Sequence, residues 1–395
     1  MKVAVGLSGG VDSSVAALIL KEQGHAVVGV TMKLWSGAYR GGERDACFGP
    51  GEAEDIARAE ELARALGIGY QVIDCSREYE RAIVGMFREV TLRGETPNPC
   101  VFCNAALKFG LLPRLVREAG VGFDRFATGH YARIVQTGGR LTVARAADEK
   151  KDQSYFLYRL SQRQLAEAAF PLGELTKAEV RRIAAEHSLA AADKADSQDF
   201  YSGDRNELVG AEPREGEIVD LSGRVLGRHC GYWNFTVGQR KGLGAFGPEP
   251  MYVVRLDACR NQVVLGRRSE AMTREFRVAN LVWQAREPGG RPFAARVKIR
   301  STGAPLGPVE FDGETCRAPG DGLFGVAPGQ SAVFYDESGA ILCGGVIEPP
   351  AANHEPRQPL AIATLAAQTM LASTSLSTLH SITENDWACK WASEV

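Results

Sequence analysis

The amino-acid sequence predicts an α/β protein with a doubly wound parallel sheet, followed by a small central domain and a β-rich C-terminal domain that is a barrel or a sandwich. Strand and helix patterns alternate through roughly the first 200 residues, which is typical of parallel sheets covered by helices. After about residue 205, short strands separated by glycine turns replace this alternation, which is typical of all-β units.

The first elements are a strand, a glycine-rich turn and a helix. The apolar run KVAVGL predicts the strand, and the helical spacing of DSSVAALILKEQG predicts a helix that stops near Gly24. HAVVGVTMKLW is then a second buried strand, and EAEDIARAEELARALGI is a strongly helical stretch that leads into the strand YQVIDC. FDRFATGHYARI continues the alternation further along the chain.

The β-rich half contains strand patterns such as GEIVDLSGRVLGRH, YVVRLD, NQVVLG, FRVANLVW, ARVKIR and SAVFYD. From Ala351 the sequence becomes rich in Ala, Ser and Thr and has no clear strand period. We therefore expect an α/β domain over residues 1–205, a central β-rich domain over 206–270, a C-terminal domain over 271–350 and an appended tail over 351–395.

Composition narrows the class of protein. A chain of 395 residues is too long for one ordinary core. We expect a cytoplasmic protein that makes no membrane contact, because the N-terminus lacks the apolar region of a secretion signal and no apolar run approaches the roughly 20 residues of a membrane span. The nine cysteines are too sparse for a disulfide scaffold. With a net charge of −2, local basic patches must contact any polyanionic partner.

The turn between the first strand and the first helix is built to hold a phosphate. Paired glycines let successive backbone amides point into one concavity, and the helix start adds its positive end. The turn lacks the GK[ST] ending of a Walker loop and the G-x-G-x-x-G pattern of a dinucleotide site. The phosphate-binding candidates are Ser8, Gly9, Gly10, Asp12 and Ser13.

This turn, SGGVDS, resembles the pyrophosphate loop (PP-loop) of the ATP pyrophosphatase family, whose fold is adenine nucleotide alpha hydrolase-like. Within that family the chain resembles the tRNA-specific 2-thiouridylases. The resemblance runs from residue 1 to about 349, and it rests on the segments GVTMKLW, TPNPCVFCNAALKFG, FATGHYAR, KDQSYFL, GEIVDLSGRVLGRHCGYWNFTVGQRKGLG, VAPGQSAVFYD and CGGVIEP.

The resemblance implies an ATP-binding catalytic domain, a small central domain and a C-terminal β-barrel. It also implies an ATP-dependent tRNA-uridine 2-sulfurtransferase. Members adenylate the C2 oxygen of the wobble uridine, after which a sulfur nucleophile attacks C2 and AMP leaves. ATP, Mg²⁺ and tRNA are the implied ligands, and a sulfur donor or carrier protein acts upstream.

On the matching positions, the five phosphate-binding candidates would cradle pyrophosphate, with Asp12 as a helper for Mg²⁺. Met32, after the second strand, would lie near adenine. Gly129 and His130 belong to the TGHY turn and would face the nucleotide, although His130 could equally be a structural histidine. The candidates for tRNA contact are Lys108, Asp152, Gln153, Ser154, Arg240 and Lys241.

The cysteines depart from the family pattern. Many members carry Asp at the position of Cys100 and a second catalytic cysteine in a later segment that resembles SQEICF. Here residues 197–202 read SQDFYS, and Tyr201 stands where that cysteine is expected. Because tyrosine cannot carry a persulfide, the usual two-cysteine relay cannot operate with those positions alone.

Cys100 and Cys103 form a C-x-x-C pair in TPNPCVFCN, which we expect to be a surface-exposed loop. Cys47 lies in a loop after the second strand, and such loops emerge at the carboxyl edge of the sheet, beside the phosphate site. Three thiolates suit a four-iron four-sulfur cluster with one open iron that could bind hydrosulfide. The alternatives are a persulfide on Cys103 that Cys100 resolves, a structural zinc site, and inert thiols.

Two other functions stay open at this stage. A tRNA-binding protein that has lost catalysis would explain Tyr201. An amidating ligase could use the same loop, and it would be indifferent to Cys103→Ser.

Overall fold

The computed structural model describes residues 1–42, 46–189, 199–244, 246 and 249–350. It confirms the predicted fold class, because a five-stranded parallel sheet, a four-stranded sheet and a closed six-stranded barrel follow one another along the chain. The expected tail over 351–395 and the residues Ser197 and Gln198 lie outside the described residues.

The elements of the N-terminal domain alternate as the sequence predicts. The strands are β1 (Lys2–Gly6), β2 (Ala26–Lys33), β3 (Ala46–Phe48), β4 (Gly69–Asp74), β5 (Arg125–Thr128), β6 (Ala132–Thr137), β7 (Arg140–Arg145), β8 (Ala168–Ala169) and β9 (Asp199–Tyr201). The helices are α1 (Val11–Glu22), α2 (Glu52–Leu66), α3 (Ser76–Tyr79), α4 (Gly85–Leu92), α5 (Pro99–Phe102), α6 (Leu112–Glu118), α7 (Gln162–Glu167), α8 (Lys177–Glu186) and α9 (Arg205–Val209). Glu80–Val84 and Cys103–Leu111 are π-helical, and Ser154–Leu157 is a 3₁₀ turn.

The parallel sheet has the order β4-β2-β1-β5-β8. Its central strand β1 is a continuous apolar run because helices cover both faces, and Val3, Ala4 and Val5 are at most 1% exposed. The chain leaves β1 for β2 on one side and later returns to β5 on the other. The strand order therefore reverses at the carboxyl end of β1, where open α/β sheets bind their ligands.

The first helix follows the predicted bounds closely. Val11, Val15 and Leu18 of α1 are buried in the core, and the helix ends at Glu22. Gly24 has a φ of +78°, a left-handed conformation that glycine adopts at no steric cost. Its N–H donates to the carbonyl oxygen of Lys21 (2.9 Å) and closes the last turn.

The expected surface loop at TPNPCVFCN is wrong, because these residues begin a long helical run. Asn98 is buried, and its Oδ1 accepts from the N–H of Val101 (3.4 Å). Pro99 is the first helical residue. Asparagine at the N-cap followed by proline at the first position is a helix-start pattern. Cys100 and Cys103 therefore lie on a helix, one turn apart.

That helical run, Pro99–Glu118, has the length and composition of a membrane span, with a mean hydropathy of 1.2 over its apolar window. It is the one such helix in the part of the chain that the structure describes. Protein buries 56% of the window. Core helices of globular domains share these properties, so the run gives no support for a membrane span.

The central and C-terminal domains are built from strands. The central sheet has the order β11-β10-β13-β12. Its strands are β10 (Gly216–Asp220), β11 (Val225–His229), β12 (Tyr252–Asp257) and β13 (Gln262–Gly266), and β14 (Met272–Thr273) follows them. The barrel closes in the order β15-β18-β17-β16-β20-β21. The strands of this part are β15 (Glu275–Trp283), β16 (Phe293–Lys298), β17 (Leu306–Phe311), β18 (Thr315–Arg317), β19 (Leu323–Phe324), β20 (Ser331–Tyr335) and β21 (Ile341–Ile347).

A buried amide joins the barrel to the N-terminal domain. Gln284, which follows β15, is 0% exposed. Its Nε2 donates to the carbonyl oxygens of Leu157 (3.2 Å) and Tyr158 (2.9 Å). Its Oε1 accepts from the backbone N–H of Val143 (2.9 Å) and the hydroxyl of Thr142 (3.1 Å). Both ends of one barrel side chain thus satisfy polar groups of the other domain.

A buried charge network lies at the same interface. Asp152, whose side chain is 1% exposed, pairs with Lys298 of β16 (3.5 Å), whose side chain is 4% exposed. The Asp152 carboxylate also accepts from the hydroxyl of Ser154 (3.0 Å), which contacts the hydroxyl of Tyr335 in β20 (3.1 Å). Charges this deeply buried are costly unless they stay paired. Separating the barrel from the N-terminal domain would therefore cost free energy, because it would break this buried ion pair.

We expect Gln284→Met to lower the free energy of unfolding by about 2 to 3 kcal/mol, because the thioether leaves the Val143 N–H and several carbonyl groups buried without partners. Urea denaturation of the full chain measures the change. Gln136→Met is the matched control, since Gln136 is exposed on β6. An equal loss in both variants would contradict the role given to Gln284.

Candidate active site

The turn between β1 and α1 folds into a concave loop. The N–H of Ser8 donates to the hydroxyl oxygen of Ser13 (3.2 Å), and that hydroxyl donates to the carbonyl oxygen of Gly10 (3.0 Å). Gly9 has a φ of +68°, and a Cβ there would lie 2.5 Å from the carbonyl oxygen of Asp55. Glycine is therefore required at this position both for its conformation and for its small size.

The start of α1 faces this concavity. Gly10 precedes the helix and has no side chain with which to cap it. The first amides of an α-helix lack partners within the helix and carry the positive end of its dipole. The loop and the helix start together form a site suited to a phosphate chain.

The TGHY turn that follows β5 packs directly against this loop. A Cβ at Gly129 would lie 2.7 Å from the backbone of Asp12 and Ser13. Nδ1 of the next residue, His130, lies 2.7 Å from the hydroxyl of Thr128. Burial, with a smaller contribution from the positive charge of Lys108, lowers the pKa of His130 well below its usual value. The imidazole is therefore neutral at pH 7.

Asp12 has partners that the sequence analysis missed. The ammonium of Lys177, at the start of α8, donates to both carboxylate oxygens of Asp12 (2.8 Å each). The hydroxyl of Tyr131 donates to one of them (2.8 Å). Two partners thus engage the carboxylate that we expected to help bind Mg²⁺. The ion pair fixes the start of α1 against the start of α8.

Met32 lies within β2, one residue before its end, rather than after the strand as expected. It is half-buried and pairs in register with Ile73 of β4. The turn that follows is held by Glu52, whose carboxylate accepts from the N–H groups of Leu34 (2.6 Å) and Trp35 (2.9 Å). Glu52 therefore fixes the path of the chain after β2.

Three thiols converge beside this turn. Cys47 on β3 interacts electrostatically with Cys100 and with Cys103. Lys108, on the π-helical segment, interacts with Cys47, with Cys103 and with His130. The hydroxyl of the buried Tyr79 interacts electrostatically with all three thiols. Lys108 thus connects the thiols with the TGHY turn, which itself packs on the phosphate loop.

The thiols have raised pKa values. Burial raises the pKa of Cys47 and that of Cys103 to about 12, although the charge of Lys108 acts to lower both. Cys47 nevertheless remains exposed to solvent. Both groups are neutral thiols at pH 7.

The predicted cluster ligands do not form a ligand set. Among the residues that the structure describes, no group of three or more His, Cys, Asp or Glu side chains is arranged to hold a metal ion. Cys47 interacts electrostatically with Cys100 and with Cys103. Such an interaction does not require that the three thiols bind one metal.

Tyr201 stands in β9, which pairs in parallel with β3. Its hydroxyl donates to the carboxylate of Glu207 (2.6 Å), and its ring packs edge-on against Tyr39. The side chain is 9% exposed. Burial and the contact with Glu207 raise the pKa of Tyr201. This tyrosine is thus a packed structural residue.

The tRNA-contact candidates fall into two groups. Asp152 and Ser154 are buried at the barrel interface, where their polar groups already have protein partners. Gln153 is half-buried, and its Oε1 accepts from the N–H of Tyr131 (2.9 Å). Arg240 and Lys241 are exposed on the glycine-rich turn of the central domain. This turn can therefore meet a polyanion directly.

We expect a double-mutant cycle with Asp12→Asn and Lys177→Met to give a coupling energy of about 2 kcal/mol, because the ion pair is largely buried. The side chain of Lys177 is 9% exposed and that of Asp12 26%. The free energy of unfolding in urea measures the coupling.

The matched control is the same cycle on the exposed pair Lys33–Asp74, whose side chains are 43% and 56% exposed. We expect about 0.5 kcal/mol or less there, since solvent screens surface pairs. Equal coupling energies in the two cycles would refute a special role for the Asp12–Lys177 pair.

Comparisons with known proteins agree with this architecture. Family models match residues 1–201 (tRNA methyl transferase HUP domain), 208–267 (tRNA methyl transferase PRC-barrel domain) and 273–347 (aminomethyltransferase beta-barrel domain). A crystal structure of a 4-thiouridine synthetase in complex with RNA and ATP covers 53% of this chain and 46% of its own at 14% identity. Its TM-score of 0.33 is too low to carry an argument.

Curated relatives match almost their whole length. The tRNA-specific 2-thiouridylase MnmA of Endomicrobium trichonymphae is 43% identical over 358 residues, which cover 88% of this chain and 99% of the relative. The protein of the same name from Trichormus variabilis is also 43% identical over 358 residues, which cover 88% of this chain and 98% of the relative. The resemblance inferred from the motifs is confirmed, and the chain belongs to the tRNA-specific 2-thiouridylase family.

Proposed function

We propose that this protein catalyses the ATP-dependent 2-thiolation of the wobble uridine of tRNA. ATP adenylates the C2 oxygen of the uridine and releases pyrophosphate. A sulfur nucleophile then attacks C2 and releases AMP. The observation that carries the proposal is the position of the concave loop at the start of α1, which packs against the TGHY turn. Lys108 interacts electrostatically both with His130 of that turn and with the thiol of Cys103.

Different groups of the site are proposed to bind different parts of ATP. The backbone from Ser8 to Ser13 and the start of α1 offer N–H donors to the pyrophosphate portion. Mg²⁺ commonly binds through substrate phosphates and one or two carboxylates. Because Lys177 and Tyr131 already engage Asp12, we expect Mg²⁺ to depend mainly on the ATP phosphates. The neutral ring of His130 and the half-buried Met32 are proposed to face the nucleotide.

Activation of the uridine explains the need for ATP. The C2 carbonyl is amide-like and a poor electrophile, and adenylation converts its oxygen into a leaving group. The positive charge of Lys108 favours a thiolate at Cys47 or Cys103, because it acts against the effect of burial on their pKa values. The same charge can stabilise the phosphate of the departing AMP.

The sulfur chemistry is proposed to use the thiols themselves. A four-iron four-sulfur cluster on Cys47, Cys100 and Cys103 remains the other hypothesis. The described side chains do not form a ligand group for a metal ion, and the thiols alone can carry out the proposed transfer. On the thiol route, an upstream persulfide donor or sulfur carrier protein loads the enzyme.

We propose that tRNA reaches the exposed turn that carries Arg240 and Lys241 and that Gln153 lies nearer the target base. The net charge of −2 gives no long-range attraction for a polyanion, so this local turn has to supply phosphate contacts. Because tRNA is the proposed substrate, we expect a cytoplasmic protein with no membrane partner.

The test uses the purified full-length protein, radiolabelled ATP, unmodified tRNA and a small-molecule persulfide under anaerobic conditions. We expect tRNA-dependent release of AMP and pyrophosphate together with thiouridine in the tRNA, detected by retarded migration in mercury gels. An amidating ligase would instead release AMP when it is supplied with ammonia or an amino acid, and it would not need tRNA. A protein that has lost catalysis would bind tRNA and release no AMP.

We expect Gly9→Ala to reduce AMP release at least about 100-fold, which corresponds to about 3 kcal/mol of lost transition-state stabilisation. The new methyl group would meet the carbonyl oxygen of Asp55 and displace the loop. Single-turnover AMP formation measures the effect.

Gly24→Ala is the matched control. Gly24 also has a positive φ, but nothing lies within 4 Å of the added Cβ. It should therefore lose some stability and keep its rate. Full activity in Gly9→Ala would show that this loop does not bind the ATP phosphates.

A further inference from the structure

A short strand pair explains how the chain could do without the cysteine that Tyr201 replaces. In β3 and β9, Ala46 is in register with Asp199 and Phe48 with Tyr201. Cys47 is therefore level with Phe200, and its Sγ lies 3.6 Å from the carbonyl oxygen of Phe200. The thiol of Cys47 thus lies alongside the segment in which many relatives carry their second catalytic cysteine.

Tyr201 and Cys47 differ in what they can reach. The tyrosine is buried and bound to Glu207. Cys47, on the neighbouring strand, is exposed. An exposed thiol can accept sulfur from a donor protein or a small persulfide without any opening of the fold.

Cys47 is also the thiol that connects the other two. It interacts electrostatically with Cys100 and with Cys103, which lie one helical turn apart on the run that starts at Pro99. Lys108 acts on Cys47 and on Cys103. The strand β3 therefore carries one of the interacting thiols, and the helical run that starts at Pro99 carries the other two.

We propose that Cys47 carries the sulfur for the transfer reaction, in place of the missing cysteine, and that the C-x-x-C pair resolves the product. This inference rests on the proposed function. The persulfide then resides on Cys47 rather than on Cys103. Cys47 takes part in a covalent step instead of binding a metal.

The proposed sulfur transfer has four steps, from the loading of Cys47 to the reduction of the disulfide. A persulfide donor transfers its outer sulfur to Cys47, whose thiol loses its proton as it attacks, and the donor takes up that proton and leaves as a thiol. The outer sulfur of the Cys47 persulfide attacks C2 of the adenylated uridine, the C2–O bond breaks, and AMP leaves with the electron pair. The thiol of Cys103 or Cys100 then attacks the Cys47 sulfur, which forms a disulfide and releases the 2-thiouridine, and the proton of the attacking thiol passes to the released 2-thiouridine. A dithiol reductant then returns both cysteines to thiols.

The test compares full-length Cys47→Ser with Cys259→Ser, a matched control at an exposed cysteine in the turn between β12 and β13. Each protein receives ATP, tRNA and a small-molecule persulfide under anaerobic conditions. We expect Cys47→Ser to lose thiolation and the accompanying release of AMP at least about 100-fold, as for removal of a nucleophile. It should keep tRNA-dependent pyrophosphate release in the first turnover within about twofold, because adenylation precedes the attack of sulfur. Cys259→Ser should match the parent in both.

A second measurement identifies the disulfide. One turnover without reductant, followed by alkylation, digestion and mass spectrometry, should show Cys47 linked to Cys103 or Cys100 in the parent protein. A Cys100–Cys103 disulfide with Cys47 alkylated would overturn the inference. So would thiolation by Cys47→Ser at the rate of the control, or a parallel loss of pyrophosphate release in the first turnover.

Iron and acid-labile sulfide are measured on the same samples. Stoichiometric iron in the parent that disappears in Cys47→Ser would make Cys47 a cluster ligand and overturn the inference, whereas an active parent without iron supports it. Failure of the proposed function looks different, because the parent itself would then release no AMP in the presence of tRNA.

Discussion

The parallel pairing of β1 between β2 and β5 is the constraint on which the site depends. It places the carboxyl ends of three strands at one edge, so the glycine loop after β1 and the TGHY turn after β5 leave the sheet as neighbours. Gly129 lies so close to the first turn of α1 that a side chain would not fit. The ATP loop is therefore shaped by the sheet as well as by its own glycines.

The same edge places the sulfur chemistry. The turn after β2, held by Glu52, leads to β3 and Cys47. The helix that carries Cys100, Cys103 and Lys108 lies against the TGHY turn, since Phe109 packs on His130 with 6.1 Å between ring centres. One ammonium group can then act on the thiols and lie near the nucleotide, which suits a reaction that joins adenylation to sulfur transfer.

Local patterns predicted the parts of the fold that local physics determines. The apolar run of β1, the glycine stop after α1 and the alternation of strands and helices each need only a few neighbouring residues. The Asp12–Lys177 pair joins positions 165 residues apart, and no local pattern announces such a contact. The KDQSYFL segment matched its family motif, yet the barrel that buries Asp152 and Ser154 becomes apparent only in three dimensions. The surface loop predicted at TPNPCVFCN was wrong because proline also begins helices.

The barrel interface has a consequence for how a large substrate enters. Gln284 satisfies polar groups of the N-terminal domain with both ends of its amide, and Asp152 and Lys298 remain paired out of water. A hinge motion that swung the barrel away would strip all of these groups of their partners at once. We therefore expect the barrel and the N-terminal domain to stay together when tRNA binds, so that the change of conformation needed for access falls on the RNA, whose wobble base leaves its stack.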